Sequence, residues 1–421
     1  MGLQVIALLF LVAAIALGFI KKINVGIVSI ALAFVLAMLG HVKMNVVFSG
    51  FPTKLFLTLL GTMYYFCLLQ ENKTLELLSK KIVSCFSKKA FLMPIVIYVV
   101  SYLMSAAGPG AISVQSVMVI FAVALAVQMG ARGNPAILMA IMAILGAVGG
   151  TASPIALTGI IVTDLTAKMN VPGIATPVFY GVSVVNFLIA VLFYIFLGGY
   201  KIKLDSQVSL EEMPHFNKEQ KICLGSLAAL VFLVVILRWD VGLTSFALAL
   251  VLTLAKAVDD KKAFKMVPWN VLLLVCGVNV LMTVTSKIGG IKLLADLLAS
   301  MMNGSTAAAL IAATGGIMSW FSSANGVVFP TLIPTVPDIV NNVGQGVQIV
   351  EMIMGIVAAA TVAGVSPLST GGSLIMASYS EAVNASVDEQ HSLFLKLFLL
   401  SFTAVLIVVI FALIGGFKPF C

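Results

Sequence analysis

Apolar runs close to the length of a bilayer crossing return along the whole chain, at 3–20, 25–39, 55–69, 175–197, 222–237, 243–254, 271–284 and 393–414. A helix needs about 20 residues to cross the hydrocarbon core. Inside lipid every backbone N–H and C=O must find an internal partner, so such segments are expected to be helices. Composition agrees, with 61% of the 421 residues hydrophobic and 10% charged, against roughly 45–50% apolar content in a soluble domain. The chain is predicted to be an all-α polytopic membrane protein.

The first run has no basic residue before it, Lys21 and Lys22 after it and no small-residue cleavage site, so it reads as a first transmembrane helix and not a signal peptide. The net charge of +8 is spread over short loops between spans, where orientation bias accounts for it better than nucleic-acid binding. Cys67, Cys85, Cys223, Cys276 and Cys421 are scattered, without C-x-x-C spacing, so neither a metal site nor a disulfide framework is expected. His41, His215 and His391 all fall in predicted loops. No catalytic constellation emerges, and an enzyme is not expected.

An internal repeat organises the rest. Pro52 and Gly61 recur as Pro268 and Gly277, and Leu77-Leu78 as Leu293-Leu294, at an offset of 216 (268 − 52). Met104-Ser105 pairs with Met318-Ser319 and Gly150 with Gly364 at 214 (318 − 104), then Ser153-Pro154 with Ser366-Pro367 at 213 (366 − 153). The expected domains are a first repeat at 1–200, a cytoplasmic linker at 201–221 and a second repeat at 222–421. Each repeat has five transmembrane segments, one of them broken, plus a re-entrant hairpin. The hairpins are placed at 93–127 and 307–340, the broken helices at 136–164 and 346–380. An odd number of crossings inverts the second repeat relative to the first, as in many secondary transporters.

Charge tests that count, because Lys and Arg collect on the cytoplasmic side. With both termini outside, Lys21, Lys22, Lys73, Lys80, Lys81, Lys88, Lys89 and Arg132 of the first repeat fall inside, with Lys256, Lys261, Lys262 and Lys265 of the second. The outer side keeps Lys43, Lys54, Lys168, Arg238, Lys287, Lys292 and Lys418. Counting the hairpins as single spans would mix the basic and sparse loops.

Four polar interruptions stand out. The hairpin tips are 105–110, Ser-Ala-Ala-Gly-Pro-Gly, and 322–326, Ser-Ser-Ala-Asn-Gly. The broken helices are interrupted at Gly149-Gly150-Thr151-Ala152-Ser153-Pro154, continuing to Thr158-Gly159, and from Gly364 through Ser366, Pro367, Ser369 and Thr370 to Ser373. Pro breaks a helix and clustered Gly weakens one. Unwound carbonyls suit a cation, and half-helix N-termini suit a carboxylate, without a charged side chain at mid-membrane. Close helix packing is the competing explanation for lone Ser and Gly residues. Glu71, Asp164 and Glu351 are read as solvated helix ends, and Trp239 and Trp269 as interfacial anchors.

At these residues the chain resembles the ion transporter superfamily, which includes the divalent anion:sodium symporters, and within it the dicarboxylate carriers of the MatC type. The segments 20–26, Ile-Lys-Lys-Ile-Asn-Val-Gly, and 61–74, ending Gln-Glu-Asn-Lys-Thr, look like the N-terminal region of those carriers. The tips fall where the symporters carry Ser-Asn-Thr, from which this chain departs. The resemblance implies a first cation site at Ser105, Gly108, Gly150 and Ser153, and a second at Ser322, Asn325, Gly364 and Ser366. Substrate would meet Ser323, Asn325, Thr151, Thr158, Pro367, Ser369 and Thr370. It also implies a homodimer in a bacterial inner membrane, whose hairpins and broken helices move against a scaffold. The expected activity is secondary transport of a small carboxylate, malonate- or succinate-like, coupled to Na⁺ or H⁺, with no other cofactor. A subunit of a binding-protein-dependent transporter and a cation/proton antiporter are the alternatives. An antiporter should place carboxylates at mid-membrane.

Overall fold

The computed structural model describes residues 2–21, 23–84, 89–129, 133–202, 215–237, 239–344 and 346–421. Lys22, Cys85, Lys88, Arg132, Lys203, Arg238 and most of the 201–221 linker lie outside the described residues, as does the Lys80 side chain. The first half runs α1 (Leu3–Lys21), α2 (Val25–Leu39), α3 (Met44–Ser49), α4 (Thr53–Glu71), α5 (Thr74–Ser84), α6 (Met93–Ala106), α7 (Gly110–Gln128), α8 (Asn134–Gly150), α9 (Leu157–Lys168) and α10 (Ala175–Phe196). The second runs α11 (Lys218–Val231), α12 (Val241–Leu254), α13 (Asp260–Met266), α14 (Trp269–Lys287), α15 (Gly290–Ala299), α16 (Ala307–Phe321), α17 (Phe329–Leu332), α18 (Val336–Val343), α19 (Ile349–Val362), α20 (Thr370–Val383) and α21 (Val387–Leu413). Among the described residues there is no strand, and six helical segments are long and apolar enough to cross a membrane.

Local chemistry starts these helices alike in both halves. Pro52 and Pro268 are the N-caps of α4 and α14, with ψ of 77° and 70°, and both helices are 19 residues long. Helices α2 and α12 begin 216 residues apart (241 − 25), as do α3 and α13 (260 − 44) and α5 and α15 (290 − 74). The spacing is 214 for α6 and α16 (307 − 93) and 213 for α9 and α20 (370 − 157).

Packing exchanges partners between the halves. Helix α2 lies against α14, and α12 lies against α4. Glycine permits both crossings. A Cβ on Gly277 would stand 2.2 Å from the Gly26 carbonyl oxygen, and one on Gly61 would stand 2.4 Å from that of Gly242. Around the first crossing Ala33, Leu36 and Ala37 pack with Val278 and Leu281. Helices α6 and α7 both pack on α8, and α16 and α21 both pack on α19.

The helices are interrupted at four places. Helices α6 and α7 are joined by Ala107, Gly108 and Pro109, with φ of 139° at Gly108 and 78° at Gly110, values that L side chains resist. Helix α16 stops at Ser322, which is extended, and the chain resumes as a π turn, Ala324–Val328. Pro330, Pro334 and Pro337 then divide this arm into α17, a 3₁₀ turn (Ile333–Thr335) and α18, each proline lacking the N–H that would continue the helix before it. The arm runs past 340 to Val343. The second broken helix begins at Ile349 and not 346, because Gly344 and Gly346 hold positive φ. His391 lies in α21 and not in a loop. The Ser386–Glu389 capping box starts the helix ahead of it.

Candidate functional site

The first break spans residues 151–156, between α8 and α9. Thr151 N and Ser153 N still bond backward, to Ala147 O at 3.1 Å and Gly150 O at 3.0 Å, before the chain leaves the helix. Ala156, the N-cap of α9, offers no side-chain cap, and with Gly159 N bonded to Thr151 O at 3.2 Å the N–H groups of Leu157 and Thr158 are the first-turn donors left open among the described residues. One turn into α9, Gly159 lies so close to the break that a Cβ there would stand 2.0 Å from Ser153 O. Gly372 repeats this in α20, with a Cβ position 2.1 Å from Ser366 O.

The second break is tied by Ser369, whose hydroxyl donates to Gly364 O at 2.5 Å and Ser366 O at 2.7 Å. The Ser366 hydroxyl accepts Leu368 N at 3.3 Å. Ser366 and Pro367 are buried, Ser369 is half-buried and Thr370 is exposed.

The tip of the second half meets the break of the first. Thr158 Oγ1 donates to Asn325 Oδ1 at 2.8 Å and stands 3.3 Å from Thr151 Oγ1. Thr151 and Thr158 are buried, and Asn325 is half-buried. Among the described residues Asn325 Nδ2 has no partner, so a donor remains for an incoming acceptor. Ser323 caps the π turn by accepting Gly326 N at 3.1 Å, and Ser322 Oγ donates back to Met318 O at 2.7 Å. The reciprocal contact also exists, α20 packing on α7 of the first hairpin.

The residues expected for a first cation site divide. Ser105 and Gly150 touch where α6 crosses α8, with a Gly150 Cβ position 3.0 Å from Ser105 Cβ and 2.2 Å from Tyr102 O. Ser105 Oγ is buried there without a hydrogen-bond partner among the described residues. Gly108 faces Phe66 of α4 and the Ile155 carbonyl, and Ser153 is buried in the break. Gly364, expected in the second cation site, stands against Val148 of α8, while Asn325 of that set bonds to Thr158 across the halves.

The carboxylates read as solvated helix ends are held. Glu71, with its side chain 15% exposed, accepts Asp259 N at 3.2 Å and faces Lys262 at 3.7 Å. Asp164 pairs with Lys168 at 2.7 Å. Glu351 is 4% exposed in a small cavity of about 150 Å³ beside Ser305, Gly415 and Lys418. Glu71 and Glu351 meet remote segments, which local composition does not reveal, whereas Asp164 and Lys168 are four residues apart on one helix.

A model of the citrate transporter family, CitMHS, matches residues 8–359. The chain belongs to this family. The match runs from α1 into α19, so it takes in both tips and the first break and ends just before the Ala363–Val365 turn. CitMHS transporters fall within the ion transporter group that holds the divalent anion:sodium symporters, so the chain is an integral membrane protein and a secondary carboxylate transporter. No curated protein sequence matches it.

Two further polar features of this CitMHS chain lie outside the four interruptions. Tyr98 donates to Asn186 Oδ1 at 2.9 Å, and the Tyr102 and Ser183 hydroxyls meet at 2.6 Å, which fastens α6 to α10. Gln115 of α7 is buried opposite the second break. A lone amide at membrane depth is the signal that marks each.

Proposed function

We propose that this chain is an ion-coupled secondary carrier for a small carboxylate with more than one acid group, citrate or a MatC-type dicarboxylate. The observation that carries the reading is the Thr158–Asn325 hydrogen bond of 2.8 Å, which joins the tip of one half to the helix break of the other. It gathers two hydroxyls, a free amide donor and the uncapped start of α9 in one place. Such a group suits a carboxylate through neutral donors and helix dipoles. Thr151, Thr158, Ser323, Asn325, Pro367, Ser369 and Thr370 form the substrate surface in this reading.

Na⁺ is the coupling ion this arrangement favours. The residues brought together carry oxygens and no ionisable side chain, and the orphaned Ser105 Oγ beside Gly150 offers a further ligand. The second set comprises Ser322, Gly364 and Ser366. Proton coupling is the second reading, favoured by the buried Glu351 at the start of α19.

The recurrence of α2–α5 as α12–α15 at a constant 216 residues supports two repeats, inverted by an odd number of crossings. The hairpins are re-entrant in this reading and move with the broken helices in an elevator-like step. A homodimeric scaffold in a bacterial inner membrane, with both termini outside, completes the proposal.

A thermal-shift screen of mono-, di- and tricarboxylates, with and without Na⁺, tests substrate and ion together. Citrate or succinate should raise the melting temperature, and more so with Na⁺. Counterflow of labelled citrate in proteoliposomes then tests transport. No stabilisation and no uptake with any carboxylate would sink the reading.

A further inference from the structure

The turn of the first hairpin, Ala107-Gly108-Pro109, has no polar side chain, yet its second arm carries a buried one. Gln115 stands five residues into α7, is 3% exposed and makes no hydrogen bond to any described residue. Its Oε1 lies 3.4 Å from the point where a Cβ on Gly371 would stand, and Gly364 O lies 2.6 Å from the same point. Gly371 is the second residue of α20, the half-helix that follows the second break. The first backbone donor of α20 with a partner among the described residues is Ser373 N, bonded to Ser369 O at 3.0 Å. The N–H groups of Thr370, Gly371 and Gly372 are thus open, on the positive end of a 14-residue helix.

A buried amide without partners is costly to keep, and here its head group, with both N–H donors unused, stands beside the open N-terminus of α20. We propose that Gln115 reads a second carboxylate of the substrate, held at the N-terminus of α20, while Asn325, Thr151 and Thr158 read the first. The inference rests on the carboxylate-carrier reading above. Helix α8 sets the spacing. Ile144 of α8 is 3.0 Å from the Gly371 Cβ position, and Thr151 follows it by seven residues, about 10 Å along the axis at 1.5 Å per residue. A monocarboxylate can occupy one of these two stations; a di- or tricarboxylate can engage both. Gln115 is therefore the residue that selects for substrates with two acid groups.

The test uses purified full-length protein, with citrate, succinate and acetate as probes at saturating Na⁺. Gln115→Ala should weaken citrate and succinate binding about tenfold or more, the usual scale for a hydrogen bond to a charged group, and leave acetate unchanged. Gln115→Asn keeps the amide and should retain more binding than the alanine variant. Gln115→Glu keeps the shape. Its carboxylate should repel substrate at neutral pH and donate once protonated, so its citrate affinity relative to wild type should recover as pH falls. The ligand-free melting temperature checks folding in each case. Wild-type affinity for citrate in both Gln115→Ala and Gln115→Glu would overturn the proposal. So would a rise in Na⁺ affinity in Gln115→Glu with citrate binding unchanged, because the side chain would then be an ion ligand. If the wild type binds citrate and only the Gln115 result fails, the carrier reading stands; if the wild type binds no carboxylate, both fall.

Discussion

Asn325 makes the one side-chain hydrogen bond described between a tip and a break, and it keeps a free donor. Asn325→Ala should therefore cut citrate uptake by tenfold or more, the scale of a lost hydrogen bond to a charged group, with little change in melting temperature because the residue is half-buried. Uptake by proteoliposomes checks the first part and a thermal melt the second. Gly372→Ala should act differently. Its Cβ would stand 2.1 Å from Ser366 O, so the second break must shift, and both stability and uptake should fall. The candidate site is only partly visible in the sequence at this scale. Ser153, Pro154, Ser366 and Pro367 announce a break because their chemistry is local. That Thr158 meets Asn325, 167 residues away, depends on how whole helices pack, and nothing near either residue says so. Gln115 is harder still, a single amide within an apolar helix whose meaning comes from Gly371 opposite.

Whole helices obey simpler rules, and most of them can be placed from apolar runs and Gly-Pro interruptions. The short α3 and α13 escape that method, being too brief to carry a period of their own; Pro52 and Pro268 mark where each ends. The glycine crossings bear the heaviest steric constraint. Gly277→Ala drives a Cβ to 2.2 Å from the Gly26 carbonyl, backbone that cannot rotate aside, and should cost about 1–3 kcal/mol, as overpacking does elsewhere. Gly225 has nothing within 4 Å of its Cβ position, so Gly225→Ala is the control and should be neutral or better. Paired thermal melts decide it. At the start of α21, the Ser386 backbone and hydroxyl bond Glu389 and hold its carboxyl below the usual carboxylate range. A depressed carboxylate contributes stability above its unfolded value, about 4.3 for Glu, and loses it as pH falls through the lower folded value. Ser386→Ala should thus lower the melting temperature at pH 7 and leave it nearly unchanged at pH 3.

At the scale of the molecule, the proposed odd number of crossings in each half would put both termini on one face, and the placement of the basic loops would make that face the outer one. Cys421 is the exposed cysteine among those described, while Cys67, Cys223 and Cys276 are buried. With Cys85 replaced by Ser, an impermeant maleimide should label Cys421 from outside intact cells; labelling only after permeabilisation would reverse the topology. The exchange of partners between the halves reaches further, into how the chain is made. Helix α2 finds α14, and α4 finds α12, only after more than half the polypeptide has left the ribosome. Until then the early helices sit in the bilayer with glycine-lined grooves open to lipid or to whatever chaperone guards them. A gene cut within the 201–221 linker should therefore yield two fragments that are degraded when made alone and survive when made together.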